Sequence, residues 1–213
     1  MDMRIEAQVT GFIEENCYFA ANPETRETVV IDPGDDAPRL LAHLRARDAV
    51  VVAYLLTNGH VDHLTALAAL CAAHPAPIHV HPRDAAWCFS ERNSLPGFYD
   101  APETPACPLV PVEEGAALEL AGTRWSLVET PGHTPGGVCW KLEDDRALFT
   151  GDTLFRGTAG RTDLPGGDSR ALMRSLRKLA ALEGDWTVYP GHGEATTLDR
   201  ERRDNYFMQG APG

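Results

Sequence analysis

Apolar residues in this chain gather in short runs separated by glycine, proline and polar turns, and the runs differ in period. Residues 16–21 and 27–32 are aromatic or β-branched stretches either side of the turn-forming Asn22-Pro-Glu-Thr-Arg26, which predicts two strands. Asp32-Pro-Gly-Asp35 closes the second, and residues 37–47 then carry apolar positions at helical spacing. Residues 50–56 form an unbroken apolar, β-branched run, the pattern of a strand covered on both faces. A loop at 57–63 leads into 64–73, whose alanine and leucine content predicts a helix.

The alternation recurs more loosely downstream. Residues 77–81 read as a short strand and 83–89 as a helix. Residues 124–129, 138–142 and 147–150 read as strands, with Glu143-Asp-Asp-Arg146 as a hairpin turn. Residues 169–182 form a second amphipathic pattern, 187–189 a last strand, and the tail from Leu198 is helical in character. Between these elements, residues 90–111 hold five prolines (Pro96, Pro102, Pro105, Pro108, Pro111) and Gly97. A loop of that length inside a compact domain marks function or mobility. Strands before helices, twice over and without an internal repeat, predict an α/β fold of sheets sandwiched by helices, one domain over residues 1–213.

Composition narrows the class. The 213 residues are 43% hydrophobic and 23% charged, which sets aside disordered, collagen-like and fibrous chains. Nineteen Lys and Arg against 31 Asp and Glu give a net charge of -12. With no basic run to concentrate cations, nucleic acid is not an expected partner. Met-Asp-Met-Arg-Ile-Glu at the start lacks the basic and apolar regions of a secretory signal. The longest uncharged apolar stretches, 49–56 and 64–73, are too short to span a bilayer, so no membrane association is expected. Cys17, Cys71, Cys88, Cys107 and Cys139 are odd in number and lack a CxxC pair, which fits buried or idle thiols in a reducing cytoplasm.

The candidate chemistry lies in the loops after strands. His60 and His63 follow the 50–56 run in Thr57-Asn-Gly-His-Val-Asp-His63, and His133 follows 124–129 in Thr130-Pro-Gly-His-Thr-Pro-Gly136. Asp152 follows 147–150 in Gly151-Asp-Thr153, and His192 follows 187–189 in Pro190-Gly-His-Gly193. Strand ends at one sheet edge can gather side chains from distant sequence into one site. Imidazole with carboxylate suits Zn²⁺, and also Mn²⁺ or Fe²⁺. One such histidine is more often a satisfied polar residue than a ligand. Four of them, with Asp62 and Asp152 in the same kind of loop, point to metal.

Longer words surround these residues: Glu15-Asn-Cys-Tyr18, Val29-Val-Ile-Asp-Pro-Gly34, Glu129-Thr-Pro-Gly-His-Thr-Pro-Gly136, Phe149-Thr-Gly-Asp-Thr-Leu-Phe-Arg156, Gly160-Arg-Thr-Asp-Leu-Pro-Gly-Gly-Asp168 and Tyr189-Pro-Gly-His-Gly193. In their order and number they resemble the metallo-β-lactamase fold superfamily, and within it the single-domain bacterial type II glyoxalases (hydroxyacylglutathione hydrolases). The resemblance runs from about Glu15 to Asn205. It implies a four-layer αββα sandwich with two metals, zinc first among them, in a cleft at one sheet edge. His60, His133 and Asp152 would hold the first metal. Asp62, His63 and His192 would hold the second, with Asp152 shared. It implies hydrolysis of a small thioester such as S-lactoylglutathione by a metal-bound hydroxide, Asp62 serving both metal and water. Larger glyoxalases bind glutathione partly through a helical C-terminal domain for which this chain has no room, so the 90–111 loop is the expected cleft wall.

The chain departs from that pattern at Asn58, where the usual motif has histidine. A neutral amide oxygen is a poor donor beside imidazole nitrogens, so the expected result is a weakened first site and an intact second. One branch of metallo-β-lactamases resembles this arrangement, with asparagine at the same place and one zinc in the second site. Persulfide dioxygenases of the same superfamily share the look of Gly160–Asp163, but their single iron needs a histidine at position 58. A degenerate, non-catalytic member is the third possibility, and Asn58 its only support. β-Lactam hydrolysis fits less well, because the longer words match the glyoxalase group. Arg161 falls where related glyoxalases keep a basic residue near glutathione, in competition with a salt bridge to Asp163 or Asp168. Asp32 is placed either to orient a ligand histidine or to cap its turn. His79 and His81 alternate along a strand and read as structural polar residues. His43 and His74 read as surface positions.

Overall fold

In the computed structural model, which describes residues 2–209, the apolar runs become the strands of two six-stranded sheets. The first contains β1 (Arg4–Thr10), β2 (Glu15–Ala21), β3 (Glu27–Ile31), β4 (Val50–Leu55), β5 (Ile78–Val80) and β6 (Leu109–Pro111), side by side in that order. β1 to β3 form an antiparallel meander and β3 to β6 run parallel. The parallel crossovers carry α1 (Ala37–Arg45), α2 (Leu67–Ala73) and the single turn α3 (Pro82–Ala85).

The second sheet contains β7 (Ala117–Leu120), β8 (Thr123–Glu129), β9 (Val138–Leu142) and β10 (Ala147–Gly151). A small hairpin of β11 (Leu154–Phe155) and β12 (Thr158–Ala159) follows β10. The chain then crosses through α4 (Ser169–Ala180) to β13 (Thr187–Pro190), parallel to β10, and ends in β14 (Thr196–Thr197) and α5 (Leu198–Asp204).

Strand alternation explains why the runs are apolar throughout. In β2 to β4, Tyr18, Ala20, Val29, Ile31, Ala53 and Leu55 face the second sheet, where they meet Trp125, Leu127, Trp140 and Phe149. The intervening Cys17, Phe19, Val30 and Tyr54 face the other way, onto Leu40 and Leu44 of α1 and Leu67 and Leu70 of α2. The second sheet splits likewise, with Val128, Cys139 and Leu148 packed on Leu172, Leu176 and Leu179 of α4. Helix, sheet, sheet and helix therefore stack as the αββα sandwich expected from the sequence. Asp168 caps α4 by accepting from the Ala171 amide at 2.9 Å.

Several boundaries differ from expectation. β1 and β7 had no counterpart, because their residues are half-exposed on edge strands and lack a strong apolar run. The proline-rich segment 90–111 ends in β6, since an edge strand tolerates proline. The 64–73 helix begins only at Leu67, and Val61–His63 form one 3₁₀ turn. The 83–89 helix shrinks to Pro82–Ala85.

His43 corrects a surface assignment. It is buried, stacked on Phe19 with ring centroids 4.3 Å apart, its Nε2 3.1 Å from Glu6. His74 is half-buried and its carbonyl accepts from Tyr54. His79 and His81 are both buried, but His81 lies beyond β5 and caps the next turn through the Arg83 amide. All five cysteines are buried and free, as the sequence implied. Among the described residues no helix is long and apolar enough to cross a membrane.

Candidate metal centre

The carboxyl ends of β3, β4, β8, β10 and β13 open on one edge of the sandwich, and each delivers a side chain there. Two hydrogen bonds tie the sheets at that edge: the Val138 amide donates to the Thr57 carbonyl (2.8 Å) and the Trp140 indole to the Leu56 carbonyl (3.0 Å). Sequence words far apart also meet. The Asn16 side chain donates to the Pro190 and Gly193 carbonyls, and the Tyr18 hydroxyl donates to Pro190, so Glu15-Asn-Cys-Tyr18 fixes the loop that carries His192. Gly191 is needed there, since a Cβ would collide with Asp152 and His63. At Gly151 φ is +47° and a Cβ would strike Thr57.

Asp32 ends β3 in the left-handed region (φ 48°), which aspartate tolerates better than most residues. Its carboxylate accepts from the Thr57 amide (2.7 Å) and hydroxyl (2.5 Å) and lies 3.0 Å from His63 Nδ1. The carboxylate therefore orients His63, and its other bonds tie the end of β3 to Thr57 after β4 instead of capping its own turn. Because Asp32 can only accept, His63 carries its proton on Nδ1 and turns a bare Nε2 inward. His192 is set the same way: its Nδ1 donates to the Ile13 and Glu14 carbonyls at 3.0 and 3.2 Å.

These two bare nitrogens face carboxylate oxygens. His63 Nε2 lies 3.6 Å from Asp62 Oδ2 and 3.4 Å from Asp152 Oδ1, and His192 Nε2 lies 3.3 and 3.7 Å from the same atoms. A tetrahedral zinc with bonds of about 2.0–2.1 Å has ligand–ligand edges of about 3.3 Å. His63 Nε2 and Asp152 Oδ1 are buried without any hydrogen-bond partner. Lone pairs crowded on lone pairs need a cation between them. A proton satisfies one contact and a divalent metal satisfies all, so the residues present fit a metal. The electrostatics agree. Burial opposes charge on all four groups, yet each carboxylate titrates below its ordinary value because the imidazoles attract it. Both imidazoles titrate above theirs because Asp62 and Asp152 outweigh burial.

The other end of the centre is wired differently. His133 Nδ1 donates to the Arg161 carbonyl (2.9 Å), which leaves Nε2 bare, 3.2 Å from Asp152 Oδ2. His60 Nδ1 lies only 2.8 Å from that Nε2 and so donates to it. Asn58 is buried, but its Oδ1 accepts from the His60 amide (2.9 Å) and its Nδ2 donates to the Thr57 hydroxyl (3.3 Å). The amide closes its own loop and presents no oxygen to the centre. Burial and the His133 neighbour lower the His60 pKa to about 4.

Two acidic residues that sequence reasoning passed over are part of this edge. Glu15 is fully buried beside His63, its Oε2 bonded to Thr10 (2.8 Å) and its pKa raised well above the usual range by burial. Its place inside a recognisable word was the only signal. Asp84 is buried in α3 and accepts from the Gly59 amide, the Thr134 hydroxyl and the Gly136 amide. One carboxylate thus clamps the His60 loop to the His133 loop, and nothing in its local sequence foretold it. Arg161 is exposed and gives two 2.7 Å hydrogen bonds to Asp163, the salt bridge rather than a bond into the centre.

The centre lies at the floor of a cleft of about 900 Å³ whose walls include Ile13, Trp87, Leu95, Phe155 and Leu164, with Arg92 and Arg161 at its margin. Arg92, Asn93, Ser94 and Leu95 of the 90–111 segment line it, the cleft wall that the family resemblance led one to expect there.

Comparison with known proteins places the fold in a family. Residues 10–192 match the Metallo-beta-lactamase superfamily. An uncharacterised protein of Mycobacterium leprae is 36% identical over 98% of this chain and 100% of its own length. The hydroxyacylglutathione hydrolase GloC of Haemophilus influenzae is 33% identical over 97% of this chain and 98% of its own. The solved structure of BLEG-1, a B3 metallo-beta-lactamase, superposes with a TM-score of 0.89 at 33% identity, covering 97% and 100% of the two chains. TTHA1623, solved in a di-iron-bound form, gives 0.82 at 37% identity over 95% and 99%. The match spans most of the chain and both sheets, so this protein belongs to the metallo-beta-lactamase superfamily.

Proposed function

We propose that the protein is a metal-dependent hydrolase of thioesters, with hydroxyacylglutathione-type substrates such as S-lactoylglutathione as the starting class. The observation that carries this reading is the convergence of His63 Nε2, His192 Nε2, Asp62 and Asp152 on one point at the floor of an open cleft. The GloC relative supports the substrate class. We assign these four residues as the principal ligand set and His60 and His133 as a second, weaker set lacking a donor at Asn58. The inter-sheet core shared by both halves supports reading the chain as one catalytic domain.

When bound, a divalent metal supplies a Lewis acid for the acyl oxygen and lowers the pKa of water to about 7. The chain's own residues do the rest. Asp32 and the Ile13 and Glu14 carbonyls hold the outer ring protons, so His63 and His192 keep fixed tautomers. Asp62, which faces both His63 and His192 and lines the cleft, accepts a proton from the attacking water. The water oxygen joins the acyl carbon, the C–S bond breaks and the thiolate takes up the proton. A thiolate leaves readily, so no strong general acid is needed. No side-chain nucleophile is used: the cysteines are buried, and the Ser94 hydroxyl donates to the Glu91 carbonyl. Five reduced thiols fit a cytoplasmic enzyme.

Zinc is the metal we favour, with iron or manganese as alternatives that the di-iron form of TTHA1623 keeps open. Elemental analysis of the purified protein, paired with a thioester hydrolysis assay before and after chelation, tests the reading. About one zinc per chain and activity that chelation abolishes are expected from the chemistry of the donor set. One iron with oxygen consumption on glutathione persulfide, and no thioester hydrolysis, overturns it in favour of a dioxygenase.

A further inference from the structure

The cleft is apolar at both ends of the metal centre. At the His60 end the Trp87 indole packs edge-on against the His60 ring, centroids 5.6 Å apart. At the other end Phe155 packs edge-on against His192 at 6.2 Å. Ile13 and Leu95 extend these walls outward. Their neighbours Phe12 and Phe98 stack on each other at 4.6 Å, and the Phe12 amide donates to the Tyr99 hydroxyl at 3.1 Å. Two loops from opposite ends of the first sheet thus meet through an apolar contact next to Ile13 and Leu95 of the cleft wall. Phe12 is 72% exposed and Phe98 54%.

Beyond Asp62, Asp152 and the histidines of the centre, the charged residues of the lining are Arg92 and Arg161. Arg161 is engaged by Asp163, which leaves Arg92 as the lining cation without an ion pair among the described residues. A lactoyl group carries a hydroxyl next to its carbonyl. Pressed against an indole or phenyl ring it loses water and gains no partner, whereas an aryl or alkyl group gains from burial.

We infer that the site takes thioesters of aromatic or medium-chain aliphatic acids in preference to lactoyl thioesters, with Trp87 and Phe155 as the specificity-determining residues. This rests on the thioesterase reading and deepens it. Both ends present a ring beside a histidine, so the acyl group meets an aromatic wall in either orientation. Arg92 is placed to meet a carboxylate on the thiol portion.

The test is a series of glutathione thioesters that differ only in the acyl group: lactoyl, acetyl, hexanoyl and phenylacetyl. We expect kcat/KM for hexanoyl and phenylacetyl to exceed that for lactoyl by about tenfold or more, the scale that apolar pocket contacts support. Trp87→Ala or Phe155→Ala should lower the phenylacetyl-to-lactoyl ratio by about tenfold, and the variant that does so marks the acyl end. Calorimetry on the unaltered protein gives a readout without turnover: S-phenethylglutathione should bind about tenfold more tightly than S-methylglutathione. Hydrolysis of the whole series with a flat profile, or a ratio that neither variant moves, overturns the acyl preference and leaves the thioesterase reading standing. Hydrolysis of none of the series overturns both.

Discussion

At the His192 end of the centre every outer ring proton has a partner away from the site, so the inward nitrogens are bare and face two carboxylates. At the His60 end one imidazole donates to the other, and the side chain that could have completed the donor set is bonded to its own loop. Both ends hold two histidines and share Asp152. They differ in what surrounds them. Outer acceptors decide which nitrogen keeps a lone pair, and lone pairs rather than residue types make a metal site. Asn58 leaves the His60 ring without a competitor for its proton, so the two rings pair with each other.

The largest expected effect breaks the stronger end. His63→Ala removes the nitrogen at the centre of the cluster and should weaken metal binding by more than about 100-fold, beyond the loss that outer partners alone produce. Elemental analysis after dialysis should then find no bound metal, with thioester hydrolysis at background. Retention of metal would show that the His60 end holds it.

Asp32→Asn tests the outer shell. It keeps the shape but takes an acceptor from His63 Nδ1, and should cost about 10–100-fold in metal affinity, measured by chelator competition. An unchanged affinity would mean that Asp32 only closes the turn at Thr57.

Asn58→His should make the two ends alike. A third imidazole frees the His60–His133 pair to ligate, raising zinc content from about one towards two per chain with roughly tenfold faster hydrolysis. Unchanged stoichiometry would show that Asn58 is not what separates the ends.

The smallest effect concerns a histidine outside the centre. His79 Nδ1 is buried without a partner, and burial lowers the pKa from its ordinary value near 6.5. The folded protein thus binds this proton more weakly than the unfolded chain. The stability it contributes is present above about pH 6.5 and is lost as pH falls through that value towards the folded pKa. In metal-free protein, His79→Gln should flatten the fall in melting temperature between about pH 7 and 5 without altering the metal content of the loaded form.

Much of this was readable in one dimension. The short apolar and β-branched runs at β2, β3, β4, β8, β9 and β10 announced buried strands, and the Pro-Gly and Gly-Asp turns after them announced a site. Edge strands β1, β6 and β7 were not legible, because one solvated face leaves no apolar run and β6 carries proline. His43 was misread as exposed. Its polarity fits a helix surface, and only the packing of Phe19 and Glu6 against it encloses the ring. Asp84 and Glu15 were missed for a related reason: a single carboxylate carries no periodic signal, and its role depends on loops 25 and 50 residues away from Asp84 or on a histidine in another element.

The sequence by itself determined the layer order, the strand ends that bear histidines, and the family, since these rest on local periodicity and on long ordered words. Asn58 marked the His60 end as the weaker one in the sequence, and tertiary structure alone decided which ring nitrogens keep their lone pairs. That depends on hydrogen bonds from Asp32, Ile13, Glu14 and Arg161, distant in sequence, which hold the protons of three rings in place. It also depends on the orientation of one amide, Asn58, whose oxygen the His60 backbone claims first.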